Sequence, residues 1–149
     1  MIASARPDGW DFPLLLHVVG SMVLVGALVL ALSALILAWR DGDHALGRLG
    51  HRSLLLGVLP GWVLMRVGAE WIASKEDVAD AGLSWVEIGY NAADIGLLLI
   101  LASALLTGLA LRRDRPIAGS GLAGGSTIIV SVLLIAYLVA VWAMTTKPG

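Results

Sequence analysis

The sequence predicts an all-α fold, an integral membrane four-helix bundle in which 1–149 form a single membrane domain. Three observations point there. First, 58% of the 149 residues are hydrophobic and 14% are charged, before the 18 Gly are counted. Soluble domains run at roughly 45–50% apolar with Gly included and about 25% charged. Second, four segments reach the ~20 mostly apolar residues needed to cross ~30 Å of hydrocarbon. They run at about 12–39, 53–73, 85–111 and 127–144. Third, the basic residues alternate between connections, as they do in chains that cross a membrane repeatedly.

The first span, Phe12 to Trp39, is too long for the 7–15-residue apolar stretch of a signal peptide. Its leader sets Arg6 against Asp8 and Asp11 and is not basic, so the segment reads as a retained helix. The second span, Ser53 to Ala73, carries Gly57, Gly61 and Gly68, a small-residue pattern that lets backbones approach closely. Pro60 inside it removes one backbone donor and is expected to kink the helix. The third span, Trp85 to Leu111, offers Gly89, Gly96, Ala104 and Gly108 for packing. The first does so with Gly20, Gly26, Ala27, Ala31 and Ala34. The fourth runs from Thr127 to Met144. Before it, Gly119 to Gly125 reads as a flexible linker. It is not a phosphate loop, because Ser126-Thr127 follows without the Lys that such a loop needs.

Charge sets the expected direction. The first connection holds Arg40, Arg48 and Arg52 with His44 and His51, and the third holds Arg112, Arg113 and Arg115. The second holds Lys75 against Glu76, Asp77 and Asp80. The positive-inside rule then places the first and third connections in the cytoplasm and both termini outside. Trp10, Trp71, Trp85 and Trp142 fall at the outer interface and Trp39 at the inner one, where amphipathic rings meet headgroups.

Scarce polar residues remain inside the spans: His17, Ser21, Arg66, Glu70, Glu87, Tyr90, Asn91, Asp94 and Tyr137. Counting 1.5 Å per residue from the outer ends sorts most of them into two layers. Arg66, Asp94 and Tyr137 lie roughly 12–13 Å deep, and His17 and Glu70 roughly 6–7 Å. Tyr90 and Asn91 join the shallower layer. The inner half holds Ser33, Ser103, Thr107 and Ser131, hydroxyls that can bond back to their own helices. His17 and Ser21, Arg66 and Glu70, and Glu87, Asn91 and Asp94 share helix faces through i,i+4 and i,i+7 spacing. A charge at the bilayer centre costs about 2.5–3.5 kcal/mol. All three stripes are therefore expected to turn inward, with Arg66 paired to Asp94 and Glu70 in the same network.

That network has two classes of reading. It is a structural ion pair, Arg66 with Asp94, that fixes helix packing. Or it is a binding site for a small ligand or ion, formed by His17, Arg66, Glu70, Tyr90, Asn91, Asp94 and Tyr137, with Arg66 reading an anion. Haem or a metal held by His17, with Glu70 or Asp94 completing a metal set, is a further alternative. A full ion path is disfavoured because the inner half is nearly dry. No catalytic residue is assigned, since HExxH, GxSxG and paired-Asp lipid-phosphate patterns are missing. Zero Cys excludes disulfides, thiolate metal sites and cysteine nucleophiles. A net charge of −1 speaks against nucleic acid as a partner. The expected partners are the lipid bilayer and either further copies of the chain or other subunits of a membrane complex.

The segment Leu16 to Val29 (LHVVGSMVLVGALV) resembles the first helix of small bacterial membrane families, the copper-resistance D-type proteins and several four-helix families of unknown function among them. The resemblance implies a bacterial cytoplasmic-membrane protein with His17 near a metal or haem. The chain departs from the copper-resistance pattern in lacking a tryptophan-glycine-glycine run and in having fewer helices.

Overall fold

The computed structural model describes residues 11–76, 84–112 and 116–146, with the side chains of 75, 76 and 84–86 outside the description. Arg6, Asp8, Trp10, Asp77, Asp80, Arg113 and Arg115 lie outside the described residues, as do the side chains of Lys75, Glu76 and Trp85. The described chain is helical. Helix α1 spans Asp11–Asp41 and α2 spans His44–Ser53. A π-helical turn covers Leu54–Val58 and leads into α3, Leu59–Glu76. Helices α4 (Ser84–Arg112) and α5 (Gly121–Thr146) complete the bundle. Four stretches are long and apolar enough to cross a membrane: Asp11–Asp41, His44–Ser74, Glu87–Arg112 and Gly121–Thr146.

Close approach of glycines sets the α1/α3 seam. A Cβ on Gly61 would lie 2.7 Å from the Leu24 nitrogen, and one on Gly68 would lie 2.8 Å from the His17 Cα. Gly57 faces Ala27, and Gly20 on the other helix faces the backbone of Leu64 and Met65. The partners run in opposite order along the two helices, so α1 and α3 are antiparallel. Helices α4 and α5 pair the same way, with Gly96 against Tyr137 and Gly89 against Met144. At these contacts the small residues expected to pack do pack. Gly26 meets nothing within 4 Å.

The core lies between these pairs. Leu24, Leu28, Leu54, Val58 and Val130 are fully buried, and Ile100 and Leu133 nearly so. A smaller apolar cluster of Ala38, Ala110, Ile117 and Ala123 closes the end opposite the N-terminus of α1. The lipid-type surface is correspondingly apolar, with Leu56, Met22, Leu98 and Ile128 among its exposed side chains.

Three local expectations change. Arg48, His51 and Arg52 do not sit in a loop: they lie on α2, which continues through the π turn into α3. Asp43 caps α2, its Oδ1 accepting from Ala45 N at 2.7 Å and Leu46 N at 3.3 Å. Gly47, Gly50 and Ser53 form its buried face, at i, i+3, i+6 spacing. The glycines mark tight packing here, not chain flexibility. Likewise Gly121 to Gly125 are the first turn of α5, not a linker. Only Gly119 of that run takes a left-handed backbone, φ +68°, which glycine adopts without steric cost. Finally, the irregularity near Pro60 takes the form of the π turn that precedes it. Leu59 N bonds to Leu54 O across five residues. The proline ring clashes with a regular preceding turn and cannot donate a hydrogen bond, and a π turn is one way to absorb this.

Candidate functional site

A cavity of about 770 Å³ opens between the two helix pairs, at the end of the bundle where α1 begins and α5 finishes. Every span contributes. His17, Ser21 and Met22 come from α1, Met65, Arg66 and Ile72 from α3, Tyr90 and Ala93 from α4, and Tyr137, Val141 and Met144 from α5. The lining is overwhelmingly apolar, with His17, Arg66 and the two tyrosines as its main polar groups.

Helix packing positions His17. Its backbone lies against Gly68, where no side chain intervenes. Its Nδ1 lies 2.9 Å from Met65 O, one turn away on α3. A carbonyl only accepts, so Nδ1 carries the proton and a neutral ring keeps Nε2 as its acceptor. Ser21 donates to His17 O at 2.8 Å, back-bonding within α1 and leaving no hydroxyl proton for a ligand.

Arg66 is the hub of the charged groups. Its Nη2 lies 2.9 Å from Glu70 Oε1 on the same helix and 3.2 Å from Asp94 Oδ1 on α4. Its guanidinium carbon sits 4.6 Å from the centre of the Tyr90 ring, within cation–π range. The Arg66 side chain is 23% exposed, whereas Glu70 and Asp94 are 53% and 64% exposed. The three residues are thus brought together, but the carboxylates are not enclosed. Glu87 and Asn91 are exposed as well. None of Glu70, Glu87, Asn91 and Asp94 lines the cavity. The expectation that every polar stripe turns inward is therefore corrected. The α1 stripe and Arg66 reach the cavity, while Glu87, Asn91 and Asp94 form an outward stripe on α4. The physical reason is that the face of α4 carrying Ala93, Gly96 and Ala104, with Ile100 between them, is the apolar one that fits into the bundle. The polar face, offset around the helix, is carried outside.

Tyr137 is buried, and its hydroxyl, pressed against Gly96, has no hydrogen-bond partner among the described residues. Its ring, not its hydroxyl, is what the cavity meets. Among the described residues, no three His, Cys, Asp or Glu side chains converge to hold a metal ion. His51, the other histidine near the core, packs by Gly108 at the opposite end of the bundle.

Two polar features escaped sequence reasoning. Trp62 Nε1 donates to Ala93 O at 2.9 Å, tying α3 to α4 at the cavity floor. Its signal was a tryptophan in mid-span, off the interfacial belt. In the other half of the bundle, Ser126 Oγ lies 2.7 Å from Ser103 Oγ and 2.6 Å from Thr107 Oγ1, all three buried. Ser103 and Thr107 were expected only to bond back within α4. Thr107 does so, to Ser103 O at 2.9 Å, but both also reach across to α5. Ser33 and Ser131 bond back to Val29 O and Thr127 O.

Comparison with known proteins gives no match: no family model, no curated protein and no solved structure matches the chain. The first-helix resemblance therefore has no family match behind it. The described residues form an all-helical fold, with four apolar helices compatible with a small multi-pass membrane protein.

Proposed function

We propose that the chain is a small non-enzymatic protein of a bacterial inner membrane, with both termini outside, that takes one lipophilic molecule into the cavity between its helix pairs. The observation that carries this reading is the cavity itself, about 770 Å³ and almost wholly apolar, with His17, Arg66 and Tyr90 among its few polar side chains. Sites for small molecules occupy roughly 300–1,000 Å³ and combine apolar walls with a few placed polar groups. Arg66 is already faced by two carboxylates. A third anion there would meet their repulsion, so a neutral polar head suits the site better than a charged one. His17 Nε2 supplies an acceptor, and remaining N–H groups of Arg66 supply donors.

Native mass spectrometry from detergent tests this with three probes of equal tail: hexadecanol, palmitate and hexadecyltrimethylammonium. Hexadecanol is expected to bind one to one and to outcompete both charged probes. Ala69→Phe, which projects a ring into the cavity without altering charge, should weaken it. Equal binding to this variant, or a preference for palmitate, overturns the reading.

A second reading, haem held by His17, draws on one contact. The Nδ1 bond to Met65 O orients the ring and leaves Nε2 available, the way ligand histidines are held. The purified protein would then show a Soret band that His17→Ala removes. A colourless preparation sinks this alternative.

A further inference from the structure

The side of the bundle formed by α3 and α4 carries charge where hydrocarbon would lie. Glu70 and Asp94 are 53% and 64% exposed there, Glu87 and Asn91 are exposed, and Asp94 sits about 13 Å from the start of its span. Glu87 and Asn91 make no hydrogen bond or ion pair among the described residues. Bilayer hydrocarbon cannot solvate carboxylates, and ionisable groups in spans normally face protein or water. Among the described side chains, Arg66 answers only part of this charge: one guanidinium against the Glu70, Glu87 and Asp94 carboxylates leaves a net charge of −2 on the face.

That sign decides the occupant. A second copy docked by a twofold axis would set −2 against −2, and Arg66 already holds two carboxylates. We propose that this face docks a transmembrane helix of a different protein, one that presents a Lys or Arg at the depth of Asp94. A basic side chain there completes the charge balance, while the exposed Val63, Val67, Ile95 and Leu98 supply apolar flanks. Within membranes such a contact is held by packing and polar pairing, since lipid supplies no hydrophobic drive between helices. The inference rests on the chain spanning a membrane, and not on what the cavity holds.

The full chain, labelled at Gly121→Cys, is reconstituted into phosphatidylcholine vesicles. Flotation checks insertion first, and a chain that does not float overturns the proposal together with the membrane reading. Energy transfer is then measured to three labelled leucine-rich transmembrane peptides carrying Lys, Leu or Asp about nine residues from one end. The Lys peptide is expected to associate about tenfold more tightly than the Leu peptide, the size of one well-formed charge interaction. The Asp peptide should associate least. The preference should vanish in Asp94→Asn/Glu70→Gln. If that variant misfolds, Glu87→Gln, which breaks no contact among the described residues, should weaken the preference by about twofold. Equal association of the Lys and Leu peptides refutes the proposal. So does transfer between two copies of the chain that saturates first and is lost in the same variants.

Discussion

Replacing Gly61 with Ala should loosen the bundle, whereas the same change at Gly26 should not. A Cβ at Gly61 would stand 2.7 Å from Leu24 N, 3.0 Å from Leu24 Cα and 3.2 Å from Gly20 O. All three are backbone atoms, so no rotamer change relieves the contact. Ordinary contact starts near 3.4 Å, which leaves the closest approach about 0.7 Å too short. Helices α1 and α3 must separate by roughly that amount along a seam held by van der Waals contact. Overpacking of this kind costs about 1–3 kcal/mol. Ala gains about 1 kcal/mol over Gly in a helix interior, so the net loss is about 0–2 kcal/mol, centred near 1. At Gly26 nothing lies within 4 Å, so only the propensity gain applies. The two variants should differ by about 2 kcal/mol, about 30-fold in the ratio of folded to unfolded protein. Reversible unfolding in mixed dodecyl sulfate micelles, followed by circular dichroism, measures the ratio. Equal stability of the two variants, or a larger loss at Gly26, would refute the close-packed seam.

Other outcomes follow from single contacts. Gly68→Ala places a Cβ 2.8 Å from His17 Cα, so it should cost a similar net amount, about 1 kcal/mol, and weaken hexadecanol binding, which Gly61→Ala should leave nearer to normal. Asp43→Ala removes the cap on α2 and should cost about 1 kcal/mol, read as faster amide exchange at Ala45 and Leu46. Unchanged exchange there would show the cap to be idle. Ser126→Ala removes the hydroxyl shared by Ser103 and Thr107 and should destabilise by about 0.6–1.7 kcal/mol, with no effect on cavity binding at the other end. Because the chain has no Cys, single cysteines report topology cleanly. Asp80→Cys should react with an impermeant thiol reagent in intact cells and Gly121→Cys should not. The reverse pattern inverts the expected orientation.

The polar cluster around Arg66 was legible because polar residues are rare in the spans. His17, Arg66, Glu70, Tyr90 and Asp94 stood out by scarcity, and i,i+4 spacing placed Arg66 beside Glu70. The direction each stripe faces was not legible. Glu87, Asn91 and Asp94 share a face with one another, but the facing of that stripe depends on which side of α4 is small enough to pack. Trp62 was passed over because its indole bonds a carbonyl of another helix, and periodicity along one helix carries no record of such partners. Gly119 to Gly125 read as a flexible linker, since glycine composition is the same in a loop and in a tight helix contact.

By itself the sequence determined what depends on composition and spacing along one chain: an all-helical protein, four apolar spans, and the few charged groups among them. Hydrophobicity and helical period are one-dimensional properties, so they survive without coordinates. Only the tertiary structure decided that His17 donates to Met65 O and that a cavity opens between the α1/α3 and α4/α5 pairs. It alone decided, too, that the Glu70, Glu87 and Asp94 carboxylates look outward instead of in. These depend on how glycine faces mesh between helices, where shifts of less than an ångström choose which side of each helix is covered.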